Sequence, residues 1–321
     1  MKKILITFPD FDQYKSRIEE LCSGRWQVVQ LEEKCSEREF REKISDAEIL
    51  FGDVPPEWLM DCKDLKWLQI SWAGVGPYVD KEYIRHVRLT NASGAYGETI
   101  AEHVMGILLA LARHLPDYMK NASQSVWKGC GSEWNLCGKH ALILGTGDVG
   151  SHVAGLVSAF GMKVTGFCRH TRKAEKPFDR MICEEDLDDV IPTVDFICGC
   201  LPETPETIHL LNFQRLNQTK KDAILINVGR GSLIDTEGLK KLLEQGHFYG
   251  VGLDVTDPEP LPCNHPLWKF QNVIITPHVA GIGFGHYTKT RKYIWEISLE
   301  NLRRYRNGEM LLNLVDYQRG Y

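Results

Sequence analysis

Apolar residues along the first third of the chain form two patterns: short continuous runs, and longer segments with apolar residues at helical spacing. Short runs bounded by turn-forming residues are typical of buried β-strands, and the longer segments are typical of amphipathic helices. The runs predict five strands, at Ile4–Phe8, Trp26–Leu31, Glu48–Phe51, Leu65–Ser71 and Arg88–Asn91. The segments Gln13–Cys22 and Glu37–Ile44 are predicted helices between them. This βαβ rhythm predicts a parallel sheet that is complete as a small α/β domain.

A long helix is predicted to begin near Glu98. Apolar side chains then recur three or four residues apart, at Ile100, Val104, Ile107, Leu108 and Leu111. Small residues stand between them, which suits close packing against another helix. Two compatible interpretations stay open: a buried core helix, and a helix that bridges domains and forms a dimer interface.

The strand and helix rhythm resumes at Lys139. Six further strands are predicted, at Ala141–Leu144, Lys163–Phe167, Asp195–Leu201, Ala223–Val228, Gly250–Val255 and Val273–Thr276. With helices between them, they predict a doubly wound sheet of the Rossmann type. A last helix at about Phe284–Tyr305 and the apolar segment Leu311–Val315 are expected to return to the first domain. The predicted domains are therefore residues 1–98 with 289–321, and an inserted domain of residues 99–288.

A glycine-rich turn opens the second half of the chain, directly after the apolar run Ala141–Leu144 and before a predicted helix. Gly145 allows the tight turn, Gly147 lets the backbone approach a pyrophosphate, and Gly150 lets the helix pack close to the strand. The helix N-terminus, with Asp148 and Val149, would point N–H groups at the phosphates. The strand–turn–helix context favours dinucleotide binding over a tight turn without a ligand.

Composition and charge narrow the class of protein. The 321 residues are 43% hydrophobic and 25% charged, with a net charge of −5, as in ordinary globular proteins. Since there is no polybasic run, a nucleic-acid or membrane partner is not expected. The apolar run near Met1 is too short for a signal peptide, no run reaches transmembrane length, and a cytoplasmic protein is expected.

The ten cysteines show no CxxC pair and no regular spacing. Neither a metal site nor a disulfide framework is therefore expected, and buried free thiols are the favoured interpretation. Cys198 and Cys200 stand two residues apart in a predicted strand, so their side chains should lie on the same face.

The residues that follow the predicted strand Lys163–Phe167 bear on the choice of nicotinamide nucleotide. An acidic residue at this place usually accepts hydrogen bonds from the ribose of NAD. This chain has no carboxylate there, but a basic segment with Arg169, His170, Arg172 and Lys173. Such cations suit a 2′-phosphate, which favours NADP(H). The alternative is a solvated basic turn that tolerates NAD(H).

Four polar residues follow successive strands of the second predicted sheet: Arg230, Asp254, Glu259 and His278. Ligands of open α/β sheets bind at the carboxyl ends of the strands, so these side chains are expected near the cofactor. Reduction of a 2-oxo acid requires a hydride at carbon and a proton at oxygen. His278 would donate the proton, Glu259 would orient the imidazole, and Arg230 would bind the substrate carboxylate and polarise the carbonyl.

Each of these residues also has a structural interpretation when it is considered alone. His278 could be a hydrogen-bonded structural residue and Arg230 a surface charge between glycines. Glu259 could be a solvated turn residue and Asp254 a cap. Their joint occurrence at successive strand ends, after a dinucleotide-binding turn, favours the catalytic interpretation.

The motifs together resemble the D-isomer-specific 2-hydroxyacid dehydrogenase family. The resemblance rests on the glycine turn, Asn227–Gly231, Asp254 with Glu259-Pro260, Pro277–Gly281, Ala101-Glu102-His103 and Ala73–Gly76. It implies a Rossmann dinucleotide-binding domain inserted in a flavodoxin-like substrate domain, both doubly wound α/β folds. It also implies a cleft between the domains, a homodimer and D stereochemistry. Arg230, Glu259 and His278 match the family's catalytic positions, and Asp254 matches the contact to the nicotinamide carboxamide.

The resemblance extends to the binding residues. Cofactor contacts are expected from the glycine turn, from the basic segment and from Arg230, Asp254 and His278 at three strand ends. Further contacts are expected from the loop positions Leu201, Pro202, Thr207, Val228, Gly229 and Gly281. The substrate carboxylate is expected at the backbone N–H groups of Trp72, Ala73, Gly74 and Val75, together with Arg230 and His278. Gly76 stands where the family often has Asp. Trp72, Tyr96 and Trp295 are candidates for the side-chain pocket, with core packing the alternative for each.

The leading hypothesis is an NAD(P)-dependent reductase of small 2-oxo acids such as glyoxylate or hydroxypyruvate. A dinucleotide-sensing binding protein similar to the C-terminal-binding-protein corepressors is one alternative, because fold alone does not define function. A short form of phosphoglycerate dehydrogenase is the other, although Arg169 argues against NAD as its cofactor.

Overall fold

The computed structural model describes residues 1–170, 172–282 and 288–320, with Thr288 described by its backbone alone. Thr171 of the basic segment and the predicted start of the last helix at Phe284 lie outside the described residues. The chain divides into two compact units. The first unit is Met1–Tyr96 with Ile282–Tyr321, and the second unit is Gly97–Gly281.

The first unit is built on five strands and four helices among the described residues. Its strands are β1 (Lys2–Ile6), β2 (Trp26–Gln30), β3 (Ala47–Phe51), β4 (Trp67–Gln69) and β5 (Arg88–Thr90). Its helices are α1 (Phe11–Cys22), α2 (Glu37–Ile44), α3 (Gly76–Val79) and, from the end of the chain, α10 (Thr288–Asn307). Short 3₁₀ turns lie at Pro56–Leu59 and Glu82–Ile84.

The second unit carries the remaining elements. Its strands are β6 (His140–Leu144), β7 (Lys163–Phe167), β8 (Arg180–Ile182), β9 (Phe196–Gly199), β10 (Ile224–Asn227), β11 (Gly250–Leu253) and β12 (Val273–Ile275). Its helices are α4 (Gly97–Ala112), α5 (Leu115–Ser123), α6 (Asp148–Ala159), α7 (Glu184–Val190), α8 (Phe213–Gln218) and α9 (Thr236–Glu244). Short 3₁₀ turns lie at Ile191–Thr193, Gly231–Leu233 and Pro266–Lys269.

Both sheets are parallel, as the βαβ rhythm predicted. The strand order in the first unit is β2-β1-β3-β4-β5, which is the flavodoxin order. The order in the second unit is β12-β11-β10-β9-β6-β7-β8, which is the Rossmann order with one strand added at an edge. The predicted α/β fold class with two doubly wound sheets is confirmed. In such sheets the carboxyl ends of the strands meet at one edge, where ligands bind.

The second sheet has seven strands, so the prediction of six was incomplete. The missed strand is β8, which contains only Arg180, Met181 and Ile182 and pairs with β7 at the edge of the sheet. Three residues do not show a hydrophobic period, and an edge strand needs fewer apolar side chains than a central one. Tertiary pairing with β7 makes this segment a strand.

Several predicted strands extended past the last ladder residue. Leu65–Ser71 contains β4 at Trp67–Gln69, and Asp195–Leu201 contains β9 at Phe196–Gly199. The predicted strand Ile4–Phe8 lies at Lys2–Ile6, and Phe8 packs against Phe51 and Trp295 beyond the strand end. Apolar residues continue into the loops at the carboxyl edge because those loops are also buried.

Helix α4 is a core helix of the second unit. Ala101, Val104, Leu108 and Ala112 are fully buried. Gly250 and Gly252 of β11 let α4 lie close to the sheet, because a Cβ on Gly252 would be 2.5 Å from Ile107 and one on Gly250 would be 2.9 Å from Leu111. The core-helix interpretation of this segment is confirmed.

The end of the chain joins the first unit. Helix α10 places the fully buried Trp295 against Phe8 and Tyr14, with its indole N–H donating to Pro9 O at 3.0 Å. Leu314 forms an antiparallel bridge with Thr90, and Val315 N donates to Leu89 O at 2.9 Å.

All ten cysteines are free thiols, and all lie in described residues. The expectation that they are buried holds for Cys22, Cys62 and Cys198, but Cys137 and Cys263 are exposed. Cys198 and Cys200 do lie on one face, with their Sγ atoms 3.6 Å apart. Among the described helices, none combines the length and the apolarity that crossing a membrane requires.

Candidate active site

The glycine-rich turn between β6 and α6 is constrained at both of its ends. Gly145 has φ of 100°, which is left-handed backbone that favours glycine, and a Cβ there would be 2.9 Å from Cys200 O. A Cβ on Gly150 would overlap the carbonyl oxygen of Gly145. The fold itself therefore requires glycine at these two positions, for the turn and for the close packing of helix on strand.

Gly147 differs from the other two glycines. Its φ is −79°, which other residues adopt, and a Cβ there would meet no protein atom within 4 Å. Gly147 is the N-cap of α6, where glycine is tolerated, but no protein contact requires glycine at this position. Close approach of a phosphate group to the backbone at the N-terminus of α6 does explain it, so the turn fits a bound dinucleotide.

Asp148 stands at the first turn of α6, where it would face a phosphate if its carboxylate pointed outward. Its Oδ2 instead accepts from the N–H of Gly97 at 2.8 Å, and its Oδ1 lies 3.3 Å from His152 Nδ1. The carboxylate thus binds the N-terminus of α4. The predicted cofactor residue Asp148 connects two helix N-termini through its side chain.

The basic segment after β7 lies against the glycine turn. Arg172 Nη2 donates to Thr146 Oγ1 at 2.9 Å and to Thr146 O at 3.2 Å, and Thr146 is part of the turn. Arg169, at the start of the same segment, lies close enough to Glu206 to affect its charge. The pKa of Glu206 is lowered by hydrogen bonds from the Thr204 hydroxyl and the Glu206 backbone, and further by the charge of Arg169. Two arginines that the sequence assigned to the cofactor therefore lie near two different segments that were also predicted to contact it.

The loop after β9 is the second of these segments. Leu201 lies between the glycine turn and the end of β10: a Cβ on Gly145 would be 3.2 Å from Leu201 Cδ2, and one on Gly229 would be 2.6 Å from Leu201 O. Thr207 Oγ1 donates to Pro202 O at 2.7 Å and accepts from Thr204 N at 2.8 Å. The side chain of Thr207 therefore fixes the shape of this loop.

Arg230 follows β10 in a backbone that glycines hold between two neighbouring loops. A Cβ on Gly229 would clash with the Leu201 backbone, and one on Gly231 would overlap the Thr256 carbonyl. Asn227, which is fully buried, accepts from Gly229 N at 3.1 Å and donates to Arg230 O at 2.8 Å. The position of Arg230 is therefore set by its backbone, and its Nη1 donates to Gly229 O at 2.7 Å.

His278 and Glu259 form a hydrogen-bonded pair, with Nδ1 and Oε1 2.7 Å apart. The second oxygen of Glu259 accepts from Thr256 N at 3.3 Å. Both side chains are about half exposed, at 48% and 41% of their surface. Because a carboxylate accepts only, it selects the tautomer with hydrogen on Nδ1 and leaves Nε2 for proton exchange.

The backbone of His278 is strained. Its φ is 54°, in the left-handed region that residues other than glycine rarely adopt. Its N–H donates to Asp254 O at 2.8 Å, while the Asp254 carboxylate accepts from Val279 N at 2.9 Å and Ala280 N at 3.0 Å. Asp254 is 2% exposed, and it fixes the loop that carries the imidazole.

Two supporting residues were not assigned a role from the sequence. Thr276 Oγ1 donates to Asp254 Oδ1 at 2.6 Å, and His103 Nε2 lies 3.1 Å from the same hydroxyl. His103 is on α4, so the core helix contacts the His278 loop through Thr276 and Asp254. The motif Ala101-Glu102-His103 was the only sequence signal for it. The predicted residues Val228, buried, and Gly281, partly buried, lie next to this edge of the sheet.

In the first unit, the loop Trp72–Gly76 follows β4 and turns its carbonyl groups toward protein donors. Trp72 O accepts from Ala92 N at 2.9 Å, Ala73 O from Asn91 Nδ2 at 2.8 Å, and Val75 O from Tyr78 N at 2.9 Å. Within the described parts of the chain, the N–H groups of Ala73, Gly74 and Val75 have no acceptor. Consecutive N–H groups of this kind suit an anion.

The aromatic candidates for a side-chain pocket separate into two groups. Trp295 belongs to the core of the first unit, and Tyr96 is 3% exposed with its hydroxyl donating to Ser71 O at 2.5 Å. Trp72 is 43% exposed and lies in the loop Trp72–Gly76. Core packing accounts for Trp295 and Tyr96, and Trp72 alone of the three remains a candidate.

The second unit thus combines a Rossmann sheet, a glycine turn that fits a pyrophosphate, and a His–Glu pair at the carboxyl edge of the same sheet. This combination defines a nicotinamide-dinucleotide-dependent dehydrogenase. Comparison with known proteins specifies the family. Residues 105–280 match the family model described as D-isomer specific 2-hydroxyacid dehydrogenase, NAD binding domain.

Similar proteins cover nearly the whole chain. A glyoxylate/hydroxypyruvate reductase B from Serratia proteamaculans is 31% identical over 290 residues, which are 87% of each chain. A crystal structure of a D-isomer specific 2-hydroxyacid dehydrogenase family protein from Aeromonas salmonicida has a TM-score of 0.86 at 32% identity, covering 98% of this chain and 99% of that one.

A second similar structure contains a cofactor. It is a D-isomer specific 2-hydroxyacid dehydrogenase from Xanthobacter autotrophicus in complex with NADPH and MES, with a TM-score of 0.79 at 26% identity, covering 100% of this chain and 99% of that one. This chain belongs to the D-isomer specific 2-hydroxyacid dehydrogenase family. It is an NAD(P)-dependent oxidoreductase that transfers a hydride between the nicotinamide and a 2-oxo acid.

The contrast between the glycines of the turn yields a test of cofactor binding. Gly147→Ala should lower the melting temperature by only a few degrees, because its Cβ meets no protein atom and only the roughly 1 kcal/mol by which glycine exceeds alanine at a helix N-cap is lost. It should weaken dinucleotide binding at least about 10-fold, because the methyl group occupies space that the pyrophosphate needs. Gly150→Ala should lower both the melting temperature and the affinity. Titration calorimetry and thermal unfolding measure the two effects.

Gly155→Ala is the matched control. Gly155 lies in the same helix α6, and its Cβ would also meet no protein atom within 4 Å. Alanine there should increase stability by roughly 1 kcal/mol through helix propensity, with cofactor affinity unchanged. Wild-type affinity in Gly147→Ala would contradict the assignment of this turn to the pyrophosphate.

Proposed function

We propose that the protein is an NADPH-preferring reductase of small 2-oxo acids such as glyoxylate or hydroxypyruvate. The observation that carries the proposal is the hydrogen bond of 2.7 Å between His278 Nδ1 and Glu259 Oε1, in the unit that holds the glycine turn. The reductase from Serratia proteamaculans, named for glyoxylate and hydroxypyruvate, supports this choice of substrate.

His278 is the proposed proton donor. When the cofactor is bound, its nicotinamide supplies the hydride to the carbonyl carbon of the substrate. The negative charge that develops on the carbonyl oxygen is neutralised by the proton on His278 Nε2. Glu259 holds the ring through Nδ1 and stabilises the imidazolium before the proton is transferred. In the oxidative direction the same imidazole accepts the proton.

Arg230 and the loop Trp72–Gly76 are the proposed binding groups for the substrate carboxylate. The guanidinium offers paired N–H donors in one plane, which match a carboxylate and also polarise the adjacent carbonyl. The three N–H groups at Ala73, Gly74 and Val75 supply further donors from the backbone. Asp254 then orients the His278 loop, and its remaining proposed role is contact to the nicotinamide carboxamide.

The preference for NADPH is proposed from the basic segment. Arg172 is held on the glycine turn by two hydrogen bonds to Thr146, which keeps its guanidinium beside the cofactor segment. No carboxylate stands between Cys168 and Lys173 to accept from a ribose hydroxyl or to repel a phosphate. The NADPH complex of the similar protein from Xanthobacter autotrophicus supports this proposal.

A homodimer is proposed from the exposed apolar segment Leu115–Trp127, which includes helix α5. Its exposed apolar side chains are Leu115, Tyr118, Met119, Val126 and Trp127, the last fully exposed at 104%. Apolar clusters of this kind mark protein–protein interfaces in soluble proteins. A second copy of this chain is the proposed partner, because homodimers are the commonest oligomers of soluble proteins.

Replacement of the catalytic pair tests the reaction chemistry. His278→Ala should lower kcat for the best 2-oxo acid by about 10²–10⁴-fold, with NADPH affinity retained. Glu259→Gln should also lower kcat, because an amide can present its own N–H to Nδ1 and favour the wrong tautomer. Stopped-flow oxidation of NADPH measures both. His247→Ala is the control, since His247 precedes β11 at the opposite edge and contacts Thr219. Wild-type kcat in His278→Ala would show another proton donor.

Replacement of Arg172 tests cofactor preference. Arg172→Ala should lower kcat/KM for NADPH by about 10- to 100-fold, the value of charge-assisted bonds to a phosphate, and leave kcat/KM for NADH nearly unchanged. Lys176→Ala is the matched control, because Lys176 is an exposed cation four residues further on that pairs with Asp179. Equal losses with NADPH and NADH, or a wild-type preference for NADH, would contradict the proposal.

The oligomer is tested by light scattering coupled to gel filtration. The wild type should have twice the protomer mass of 36.6 kDa. The double variant Met119→Ser, Trp127→Ser should shift toward the single mass, because it removes the two most exposed apolar side chains of the segment. Met310→Ser, at a position 81% exposed in the first unit, should leave the mass unchanged. A wild-type protein of single mass would overturn the proposal.

A further inference from the structure

Asp53 is a carboxylate of the first unit that no catalytic role accounts for. It lies two residues past β3, and its two oxygens accept from both donors of Ser71: from the backbone N–H at 2.8 Å and from the hydroxyl at 2.5 Å. Ser71 is fully buried and directly precedes the loop Trp72–Gly76. Asp53 therefore fixes the residue from which the anion-binding loop starts.

The backbone carbonyl groups at the start of this loop are also hydrogen-bonded. Tyr96 Oη donates to Ser71 O at 2.5 Å, so all three polar groups of Ser71 are bonded. Donors from Ala92 and Asn91 then hold the carbonyls of Trp72 and Ala73. With the carbonyls turned toward the protein, the N–H groups of Ala73, Gly74 and Val75 are left for a ligand. The Ser71 N–H, by contrast, donates to the carboxylate of Asp53.

Holding an ionised carboxylate here is unfavourable for the fold. Burial raises the pKa of Asp53 from 3.8 to about 6, although the two bonds from Ser71 lower it, and the charge of Glu33 adds to the increase. The other titratable groups that face it are the hydroxyls of Tyr78 and Tyr96, which are neutral at physiological pH. No cation compensates the charge among these neighbours.

The direction of this effect on stability follows from the two pKa values. The folded state binds the proton of Asp53 more tightly than the unfolded state does, so protonation stabilises the fold. Stability is therefore lost as pH rises from 3.8 through about 6, and the unfavourable contribution is complete above that range. A chain under selection for stability alone would carry a neutral residue at this position, which points to a function for the carboxylate.

We propose that Asp53 is a positioning residue for substrate binding, which holds Ser71 so that the N–H groups of Ala73, Gly74 and Val75 face the substrate carboxylate. The inference rests on the proposed role of that loop. Asp53 does not touch the substrate. Its two acceptor oxygens fix the loop in the arrangement that binds a carboxylate, at the expense of stability at neutral pH.

The test compares Asp53→Ala and Asp53→Asn with the wild type. Asp53→Ala removes both acceptors, so KM for the best 2-oxo acid should rise at least 10-fold while KM for NADPH stays unchanged. Asp53→Asn keeps one acceptor for the Ser71 N–H and should give an intermediate KM. The same variant should have a higher melting temperature than the wild type at pH 8, a difference that disappears near pH 4. A residue that only stabilised the fold would not raise KM in a more stable variant.

Glu48→Ala is the matched control. Glu48 lies on the same strand β3 and accepts from Trp26 Nε1 and Tyr305 Oη, far along the strand from the loop. Its loss should lower the melting temperature and leave KM for the 2-oxo acid unchanged. If instead both Asp53 variants lower KM, Asp53 acts only by repelling the substrate, and the proposal is wrong.

A second substrate separates this inference from the proposed function. The wild type should prefer a 2-oxo acid over its primary amide, which lacks the carboxylate, and Asp53→Ala should reduce that preference. A wild type that reduces no 2-oxo acid refutes the proposed function itself. A wild type without a preference for the acid refutes the role of the loop. A preserved preference in Asp53→Ala refutes the role of Asp53 alone.

Discussion

The positions of the candidate site residues depend on one constraint. At the carboxyl edge of a parallel sheet the backbone hydrogen bonds between strands end. Where a strand ends, the N–H groups of the next residues lose the carbonyl acceptors that a neighbouring strand supplied. At three such ends a short polar side chain takes over. Asp53 past β3 accepts from Ser71, Asn227 of β10 accepts from Gly229, and Asp254 past β11 accepts from Val279 and Ala280. Each fixes a loop that is assigned a chemical role.

Two of these loops hold unfavourable conformations or charges. His278 has φ of 54°, in a region that costs a residue other than glycine on the order of 1 kcal/mol or more. The Asp254 carboxylate holds this conformation by accepting a hydrogen bond from the N–H of Val279, the next residue. Asp53 is an acid whose burial raises its pKa to about 6, so it is ionised at neutral pH against its environment. In both units the local loss of stability coincides with a loop for which we propose a role in substrate binding or proton transfer.

The sequence was sufficient for the fold class and for the hydrogen-bonded pair at the carboxyl edge of the second sheet. Buried strands and amphipathic helices leave different patterns of apolar residues in the sequence. Helix α2 at Glu37–Ile44 and strand β7 at Lys163–Phe167 were therefore predicted at their observed bounds. The pairing of His278 with Glu259 was predicted from residue type and strand-end position. The strand β8 was missed because Arg180–Ile182 is too short to show a period and is defined by its pairing with β7.

The supporting residues could not be predicted for a different reason. Asp53 and Ser71 are 18 residues apart, and His103 and Thr276 are 173 apart, so no local spacing connects them. Their residue types are also unspecific, since Asp, Ser and Thr near strand ends usually cap turns. What identifies them is the number of donors that converge on one carboxylate, a quantity that exists only in three dimensions.

The glycines of the turn show how a requirement of the fold differs from a requirement of a ligand. Sequence assigns the three positions of Gly145, Gly147 and Gly150 to one motif, yet only the first and last are enforced by neighbouring protein atoms. The middle position is free of the protein and is therefore the one whose identity reports on the cofactor. The same reasoning applies to Asp53, whose ionised carboxylate lowers the stability of the fold and for which we propose a role in holding the loop that binds the substrate carboxylate. A residue whose identity is not required by the stability of the fold is therefore a good candidate for a residue that a ligand requires.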